Sequence, residues 1–308
     1  MATPEFLDPR LTERRNPRTT AIDVASSLEI FDLLNAEDET VAVAVRRERE
    51  AIAKAIDLVV GGFRRGGRLI YVGAGTSGRL GVLDAAECPP TFGTPPEMVL
   101  GVIAGSYPAL VRTQEGAEDD VNAGMSAMNE QRVSAQDVVL GIAASGTTPY
   151  VRAALSRAQT LGATTILLTC SEPPQVLVET CDLVIVVPVG PEALTGSTRL
   201  KAGTATKLVL NTVSTGAMVR LGKAYGNLMV DLMALSDKLR DRGERIVMEA
   251  CGVDRARARS AIQEAQGSVK VAIVMAKRGV VREAAVKLLE EVGGFVRRAV
   301  GDPPPVVE

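Results

Sequence analysis

Apolar residues recur along the chain in two patterns. Five short runs are apolar without alternation, as in 138–142, which is typical of parallel strands covered on both faces. These runs predict strands over 68–73, 98–104, 137–143, 164–169 and 183–188. Between them, apolar residues at helical spacing predict helices near 77–87, 116–130 and 149–161. The alternation predicts an α/β fold with a doubly wound, mostly parallel sheet.

Helical patterns also flank the predicted sheet. Before it, two helices are expected, at 26–34 and at about 40–63, the second ended by Gly66-Gly67. After it we expect a long helix over about 200–222, then short helices over 236–299 broken by Gly243, Gly252, Gly267 and Gly279. The predicted organisation is therefore an N-terminal arm and helices (1–60), the sheet domain (61–230), a helical C-terminal region (231–300) and a disordered tail (301–308). The polar residues 1–19 predict an extended arm.

Composition excludes several classes of function. The 308 residues are 46% hydrophobic and 23% charged with a formal net charge of -2, which gives no electrostatic reason to expect a nucleic acid or an anionic membrane as partner. No apolar run approaches the ~20 residues of a membrane span, and no secretory signal pattern is expected at the N-terminus. The four cysteines match no zinc spacing, so we expect reduced thiols, no metal site and a cytoplasmic protein.

The sequence contains no histidine. A Ser-His-Asp triad, a Cys-His dyad, a histidine metal ligand and imidazole acid–base catalysis are therefore impossible. If the protein is an enzyme, proton transfer must fall to Glu, Asp, Lys, Tyr or Cys.

A glycine- and hydroxyl-rich loop, residues 73–78, follows the first predicted strand and leads into a helix. It matches G-x-G-x-x-G, but the second strand ends in Ile103-Ala-Gly-Ser106 instead of an acidic residue, and Glu97 lies at the wrong end of that strand. We therefore discount a dinucleotide and predict that this loop binds a single phosphate, through Gly75, Thr76, Ser77 and Gly78.

Two more hydroxyl-rich loops follow later strands, at 144–149 and 194–204. Each alone is an ordinary helix cap. Because ligands of open α/β sheets bind at the carboxyl ends of strands, the three loops together favour a phosphorylated polyol or sugar. The predicted contacts are Ser145, Gly146, Thr147, Thr148, Ser197 and Lys201. Lys201 and Arg79 are candidates for a phosphate or carboxylate, and equally for ordinary surface charges.

Acidic residues near the first loop are candidates for proton transfer. Glu87 ends the helix predicted after the first strand, just before Pro89-Pro90. A carboxylate at the C-terminal end of a helix is disfavoured by the helix dipole, which favours its protonated form, so we treat Glu87 as a hypothetical proton donor. A second acidic cluster begins the next predicted helix. Spacing alone does not choose among its members Glu115, Glu118, Asp119 and Asp120.

Nearly the whole chain resembles the N-acetylmuramic acid 6-phosphate etherase family. The resemblance is carried by residues 11–17, 34–38, 73–91, 115–119, 144–149 and 194–204, among which Glu-Cys-Pro-Pro-Thr at 87–91 is the most specific. It implies a three-layer sugar isomerase (SIS) domain with a small helical C-terminal region. It also implies a cytosolic, homodimeric lyase of bacterial cell-wall recycling that uses no metal or nucleotide.

The implied reaction cleaves the lactyl ether of N-acetylmuramic acid 6-phosphate to N-acetylglucosamine 6-phosphate and D-lactate. The family's two catalytic glutamates correspond to Glu87 and Glu118. We expect Glu87 to act as the acid on the lactyl oxygen and Glu118 as the base at C2.

Two other functions remain open from the sequence. An aldose–ketose phosphosugar isomerase on the same fold would also need a base at C2, and would yield a ketose instead of lactate. A non-catalytic sugar-phosphate sensor, such as the related glucokinase regulatory protein, would bind the ligand without turnover.

Overall fold

The computed structural model describes residues 8, 10–232 and 237–303, and they form two compact units. The first comprises the described residues of Met1–Ala86 and Glu97–Ser214, and the second those of Glu87–Pro96 and Thr215–Glu308. The predicted division at residues 60, 230 and 300 stays a prediction. Residues 304–308 of the predicted tail lie outside the described residues.

The first unit is built on five parallel strands. They are Leu69–Gly73 (β1), Val99–Ile103 (β2), Val138–Ile142 (β3), Thr164–Thr169 (β4) and Leu183–Val186 (β5). Their order is β2-β1-β3-β4-β5, with β1 paired in register to β2 on one side and β3 on the other. The five predicted strands and the parallel sheet are confirmed.

Helices of the first unit connect and cover the strands. They are Ser27–Arg47 (α1), Arg49–Arg64 (α2), Gly75–Phe92 (α3, whose residues from Glu87 belong to the second unit), Pro108–Val111 (α4), Val121–Glu130 (α5), Pro149–Thr160 (α6), Gln175–Thr180 (α7) and Lys201–Arg220 (α8, whose residues from Thr215 belong to the second unit). The sequence prediction missed α4 and α7, which are four and six residues long and too short for a periodic pattern.

The sheet is covered on both faces. Ile70 and Val72 of β1 belong to the apolar cluster that contains Val151 and Leu155 of α6. Tyr71, which points the other way, faces α3, because a Cβ on Gly81 would lie 2.8 Å from the Tyr71 Cβ. This three-layer arrangement explains why the strands read as continuous apolar runs.

The predicted boundary between the first two helices is wrong. The first two helices meet at Glu48 instead of being separated near residues 35–39, since those polar residues are compatible with a helix and one of them, Glu37, is buried. Within the predicted extended arm, residues 1–19, the structure has the short 3-10 turn Leu11–Glu13, and a second such turn, Ile22–Val24, follows before α1.

Helix α3 continues through Pro89 and Pro90 to Phe92 instead of ending at Glu87. The two prolines remove two helical hydrogen bonds, a cost that local sequence reasoning treats as a stop. Cys88 and Phe92, one turn apart, are 2% and 8% exposed, so burial of this apolar face offsets the cost.

The second unit has its own apolar core, formed largely by helices. They are Asp237–Cys251 (α9), Arg255–Glu264 (α10), Val269–Arg278 (α11), Arg282–Glu291 (α12) and Val296–Val300 (α13), preceded by the hairpin strands Ala224–Tyr225 (β6) and Leu228–Met229 (β7). Gly252, Gly267 and Gly279 separate helices at positive φ, as predicted, whereas Gly243 lies inside α9. No helix among the described residues is long and apolar enough to cross a membrane.

Candidate active site

A polar cleft of about 330 Å³ lies at the carboxyl edge of the sheet in the first unit. Segments from all three hydroxyl-rich loops line it. Of the predicted phosphate contacts, those among its lining residues are Gly75, Thr76, Ser77, Ser145, Thr147 and Thr148. Gly196 and Thr198 line it from the third loop, while Gly78, Gly146, Ser197 and Lys201 do not. The structure therefore brings most of the predicted contacts together.

Two helices begin at this cleft. Helix α3 starts at Gly75, directly after β1, and its first backbone hydrogen bond runs from the Gly78 N–H to the Ala74 carbonyl at 3.2 Å. Helix α6 starts at Pro149, directly after the second loop. First-turn N–H groups have no partner within a helix and carry its positive dipole end, so both helices favour an anion in the cleft.

Gly78 and Gly146 support the cleft from behind. A Cβ on Gly78 would lie 2.7 Å from the Gly73 carbonyl oxygen, so glycine allows α3 to start this close to its strand. Gly146 has a φ of +74°, and a Cβ there would lie 3.1 Å from Pro173 Cα. The turn it permits brings the Ser145 and Thr147 hydroxyls within 3.0 Å of each other.

The N-terminal arm also contributes to the cleft, which the sequence analysis did not foresee. Arg10 and Glu13 are among the lining residues. Hydrogen bonds join the arm to the third loop and to the residue before it. The Gly196 N–H donates to the Thr12 carbonyl at 3.2 Å, and the Thr19 hydroxyl donates to the Ala193 carbonyl at 2.7 Å. Contacts across more than 170 residues leave no local sequence signal.

Lys201 is not a surface charge, and it does not line the cleft. Its side chain is 1% exposed, and its ammonium group lies 2.5 Å from the buried Glu37 carboxylate of α1. The Arg18 guanidinium, and more weakly Lys201, hold the pKa of Glu37 at about 2, against the opposing effect of burial. The first N–H groups of α8 are also occupied, because Glu192 accepts from the backbone of Lys201 and Ala202 at 3.0 and 2.9 Å.

Within the acidic cluster, Glu118 is the member that lines two adjoining spaces. It lies in a 3-10 turn, Ala117–Asp119, which follows Gly116 at a φ of +73°. Asp120 caps α5 by accepting from the Ala123 N–H at 2.8 Å. Asp119 lines the hydroxyl-rich cleft, whereas Glu118 lines both this cleft and a neighbouring cavity. In the described part of the chain, no three His, Cys, Asp or Glu side chains group as metal ligands do.

The neighbouring cavity, which we call the side cavity, measures about 260 Å³. It lies between the first turns of α3 and the segment 104–118, and shares Ala74, Gly75 and Glu118 with the cleft. Arg79 of α3 lines it, half-buried, with its Nε donating to the Leu110 carbonyl at 3.1 Å. Glu118 therefore stands between two adjoining spaces of different composition.

Glu87 is exposed and is not among the residues that line either space. Along the unbroken helix it lies twelve residues beyond Gly75, which is about 18 Å at 1.5 Å per residue. Its catalytic role stays a prediction.

A parallel α/β sheet with hydroxyl-rich loops at its carboxyl edge is the architecture expected of a SIS-domain protein. In agreement, residues 51–159 match the glucokinase regulatory protein N-terminal SIS domain and residues 120–215 match the SIS domain. Among solved structures, that of a phosphoheptose isomerase from Francisella tularensis is 18% identical, covers 63% of this chain and 100% of that one, and has a TM-score of 0.42.

Curated relatives define the family more closely. An N-acetylmuramic acid 6-phosphate etherase of Edwardsiella ictaluri is 52% identical over 96% of this chain and 98% of its own length. One of Mesorhizobium japonicum is 50% identical over 96% of each. The chain belongs to the N-acetylmuramic acid 6-phosphate etherase family.

Proposed function

We propose that the protein cleaves the lactyl ether of N-acetylmuramic acid 6-phosphate, giving N-acetylglucosamine 6-phosphate and D-lactate. The observation that carries this proposal is the position of Glu118, between an anion-binding cleft and a side cavity that contains a guanidinium group. The reaction serves cell-wall recycling and amino-sugar catabolism in the cytoplasm, where the four free thiols of the chain would remain reduced.

The hydroxyl-rich cleft holds the 6-phosphate. The hydroxyls of Ser77, Ser145 and Thr147 donate to it, together with the first-turn N–H groups of α3 and α6. This remote anchor fixes the sugar, and its binding energy orients the reacting carbons. The close packing behind the cleft requires glycine at Gly78 and Gly146, and backbone hydrogen bonds of Ser197 stabilise the third loop. Lys201 stabilises the fold through its buried ion pair and does not contact the phosphate.

Glu118 acts as the base. The ether oxygen at C3 is β to the aldehyde of the open-chain sugar, so the C2 proton is acidic. The Glu118 carboxylate takes this proton, the C3–O bond breaks, and lactate leaves with a proton from the acid. Water then adds its oxygen to C3 of the unsaturated aldehyde, and a proton returns to C2.

Glu87 acts as the acid, from a second copy of the chain. Helix α3 carries it about 18 Å beyond the turn that binds phosphate, too far to serve a ligand held at that same turn. Leu83, one helical turn before Glu87, is 54% exposed, and an apolar side chain there suits a surface covered by another copy. The protein is therefore a homodimer whose two sites each use Glu118 of one copy and Glu87 of the other.

The reaction is tested by incubating the protein with the phosphorylated muramic sugar in water labelled with heavy oxygen. We expect D-lactate and one labelled oxygen at C3 of the amino sugar. Glu118→Gln is expected to lower lactate release by on the order of 10²-fold or more while still binding the phosphosugar. Glu97→Gln, an exposed acid away from both spaces, is the matched control. A ketose product would favour an isomerase, and binding without turnover a sensor.

The shared site is tested by subunit mixing. Glu87→Gln and Glu118→Gln are each expected to be inactive. Re-associated in equal amounts, they should regain about a quarter of wild-type activity, because half of the dimers are mixed and one of their two sites is intact. A mixture that stays inactive, although mixed dimers are detected by mass, would show that both glutamates must belong to one copy.

A further inference from the structure

The side cavity can be matched to one of the two anionic groups of the substrate. This argument rests on the proposed function, because the substrate carries two separate anions, a 6-phosphate and the carboxylate of its lactyl group. The cleft has two helix N-termini and several hydroxyls for the phosphate. Since Glu118 stands between the cleft and the side cavity, a sugar that presents C2 to Glu118 extends its C3 substituent towards the side cavity.

Arg79 is the cation among the residues that line the side cavity. Its Nε bond to the Leu110 carbonyl, 3.1 Å long, fixes the plane of the guanidinium group. Within the described part of the chain it forms no ion pair, and that bond leaves the terminal nitrogens available. A planar guanidinium with two parallel N–H donors is the group best suited to a carboxylate.

The volume of the side cavity and the charges that line it restrict the kind of ligand it can bind. A cavity of about 260 Å³ falls below the roughly 300–1,000 Å³ of pockets for drug-sized ligands, and fits a small acid. Glu115 and Glu118 line it as well, so the two carboxylates disfavour a free anion. The carboxylate must therefore be brought in by the anchored sugar, and once its ether bond is broken the lactate is held only weakly.

We infer that Arg79 binds the lactyl carboxylate in the side cavity and so distinguishes the lactyl ether from other amino-sugar phosphates. Arg79 is a specificity-determining residue in this scheme. It orients the C3–O bond for elimination, and it takes no part in proton transfer.

The test compares two ligands that differ only in the lactyl group. Binding of the phosphorylated muramic sugar is measured by calorimetry in the Glu118→Gln background, which prevents turnover, and binding of N-acetylglucosamine 6-phosphate is measured in parallel. Arg79→Gln is expected to weaken the first by on the order of 10- to 100-fold and to change the second by less than about twofold. Arg79→Lys should recover part of the loss, because it restores the charge without the planar fork.

Arg112→Gln is the matched control, an exposed arginine of the same segment that does not line the side cavity. It should change neither affinity. Equal weakening of both ligands by Arg79→Gln, or weakening of neither, would overturn the inference. If the wild type releases no lactate, the proposed function fails, whereas the binding comparison still decides whether Arg79 recognises the lactyl group.

Discussion

Replacing Lys201 tests whether this residue stabilises the fold or binds the ligand. Its ammonium group is buried beside Glu37, and its backbone N–H is bonded to Glu192. Lys201→Met keeps the length of the side chain but removes the cation. In the variant the Glu37 carboxylate, which is 3% exposed, would keep Arg18 as its cation, and the Arg18 side chain is 63% exposed.

The stability lost in Lys201→Met can be estimated from the pKa of the Glu37 carboxylate. Its pKa falls from an ordinary 4.5 to about 2, which corresponds to about 3 kcal/mol of stability at neutral pH. The hydrogen bond from Arg18 is the largest single cause of this shift, and it stays in the variant. Removing one partner of a buried pair costs roughly 3–5 kcal/mol when the other charge is left unpaired, and Glu37 keeps Arg18, so we expect a smaller loss of about 1–3 kcal/mol.

The pH dependence gives a second readout. A carboxyl group whose pKa is lowered by folding adds stability above its unfolded pKa, and this stability is lost as the pH falls from 4.5 towards 2. Protonated Glu37 no longer needs a cation. The difference between wild type and Lys201→Met should therefore be full at pH 7 and shrink below about pH 4.5.

Urea unfolding followed by circular dichroism suits a chain without tryptophan. Lys207→Met is the matched control, because Lys207 is exposed on the same helix, and it should change stability by less than about 0.5 kcal/mol. If Lys201→Met were as stable as this control but bound the phosphosugar more weakly, the ion pair would be unimportant and the predicted phosphate contact correct.

Three further experiments test buried groups of the first unit. Gly78→Ala would place a Cβ 2.6 Å from Ile103 Cγ1, so we expect the variant to lose about 1–3 kcal/mol of stability, measured by urea unfolding. An unchanged stability would contradict the close packing of α3 on the sheet. Arg68→Met should cost about 3 kcal/mol in the same assay, because the Asp137 carboxylate, whose pKa Arg68 lowers against the effect of burial, is 3% exposed. Burial raises the pKa of the Cys170 thiol to about 12, so mass spectrometry should find it unalkylated at pH 8 until the protein unfolds, and rapid labelling of the native protein would refute this.

Much of the fold could be predicted because its signals are local. Each central strand is a short apolar run bounded by turn residues, as in β3, and its burial on both faces removes any polar alternation. The hydroxyl-rich loops follow such runs directly, so the edge of the sheet at which they meet was also predictable. The continuation of α3 past Pro89 was not, since it depends on the burial of Cys88 and Phe92.

The site was harder to predict where it depends on contacts between distant residues. Lys201 lies in the third hydroxyl-rich stretch, which predicts a phosphate ligand, yet its ammonium group pairs with Glu37, 164 residues earlier. Arg10 and Glu13 reach the cleft because the arm is bonded to the third loop. Neither arrangement has a periodicity or a spacing that a single sequence could reveal.

Because Lys201 lies in a buried ion pair and not in the lining of the cleft, a phosphate bound in the cleft would need other donors. Of the described residues that line it, one is cationic, Arg10, and three are acidic, Glu13, Glu118 and Asp119. Arg10 is itself paired with Asp8 at 2.6 Å. Net charge therefore would not attract a phosphate dianion, and the stabilisation of such a ligand would come from hydroxyls and from the N–H groups of two helix ends. Neutral donors of this kind leave the nearby glutamate free to act as a base, whereas a lysine in the cleft would pair with it.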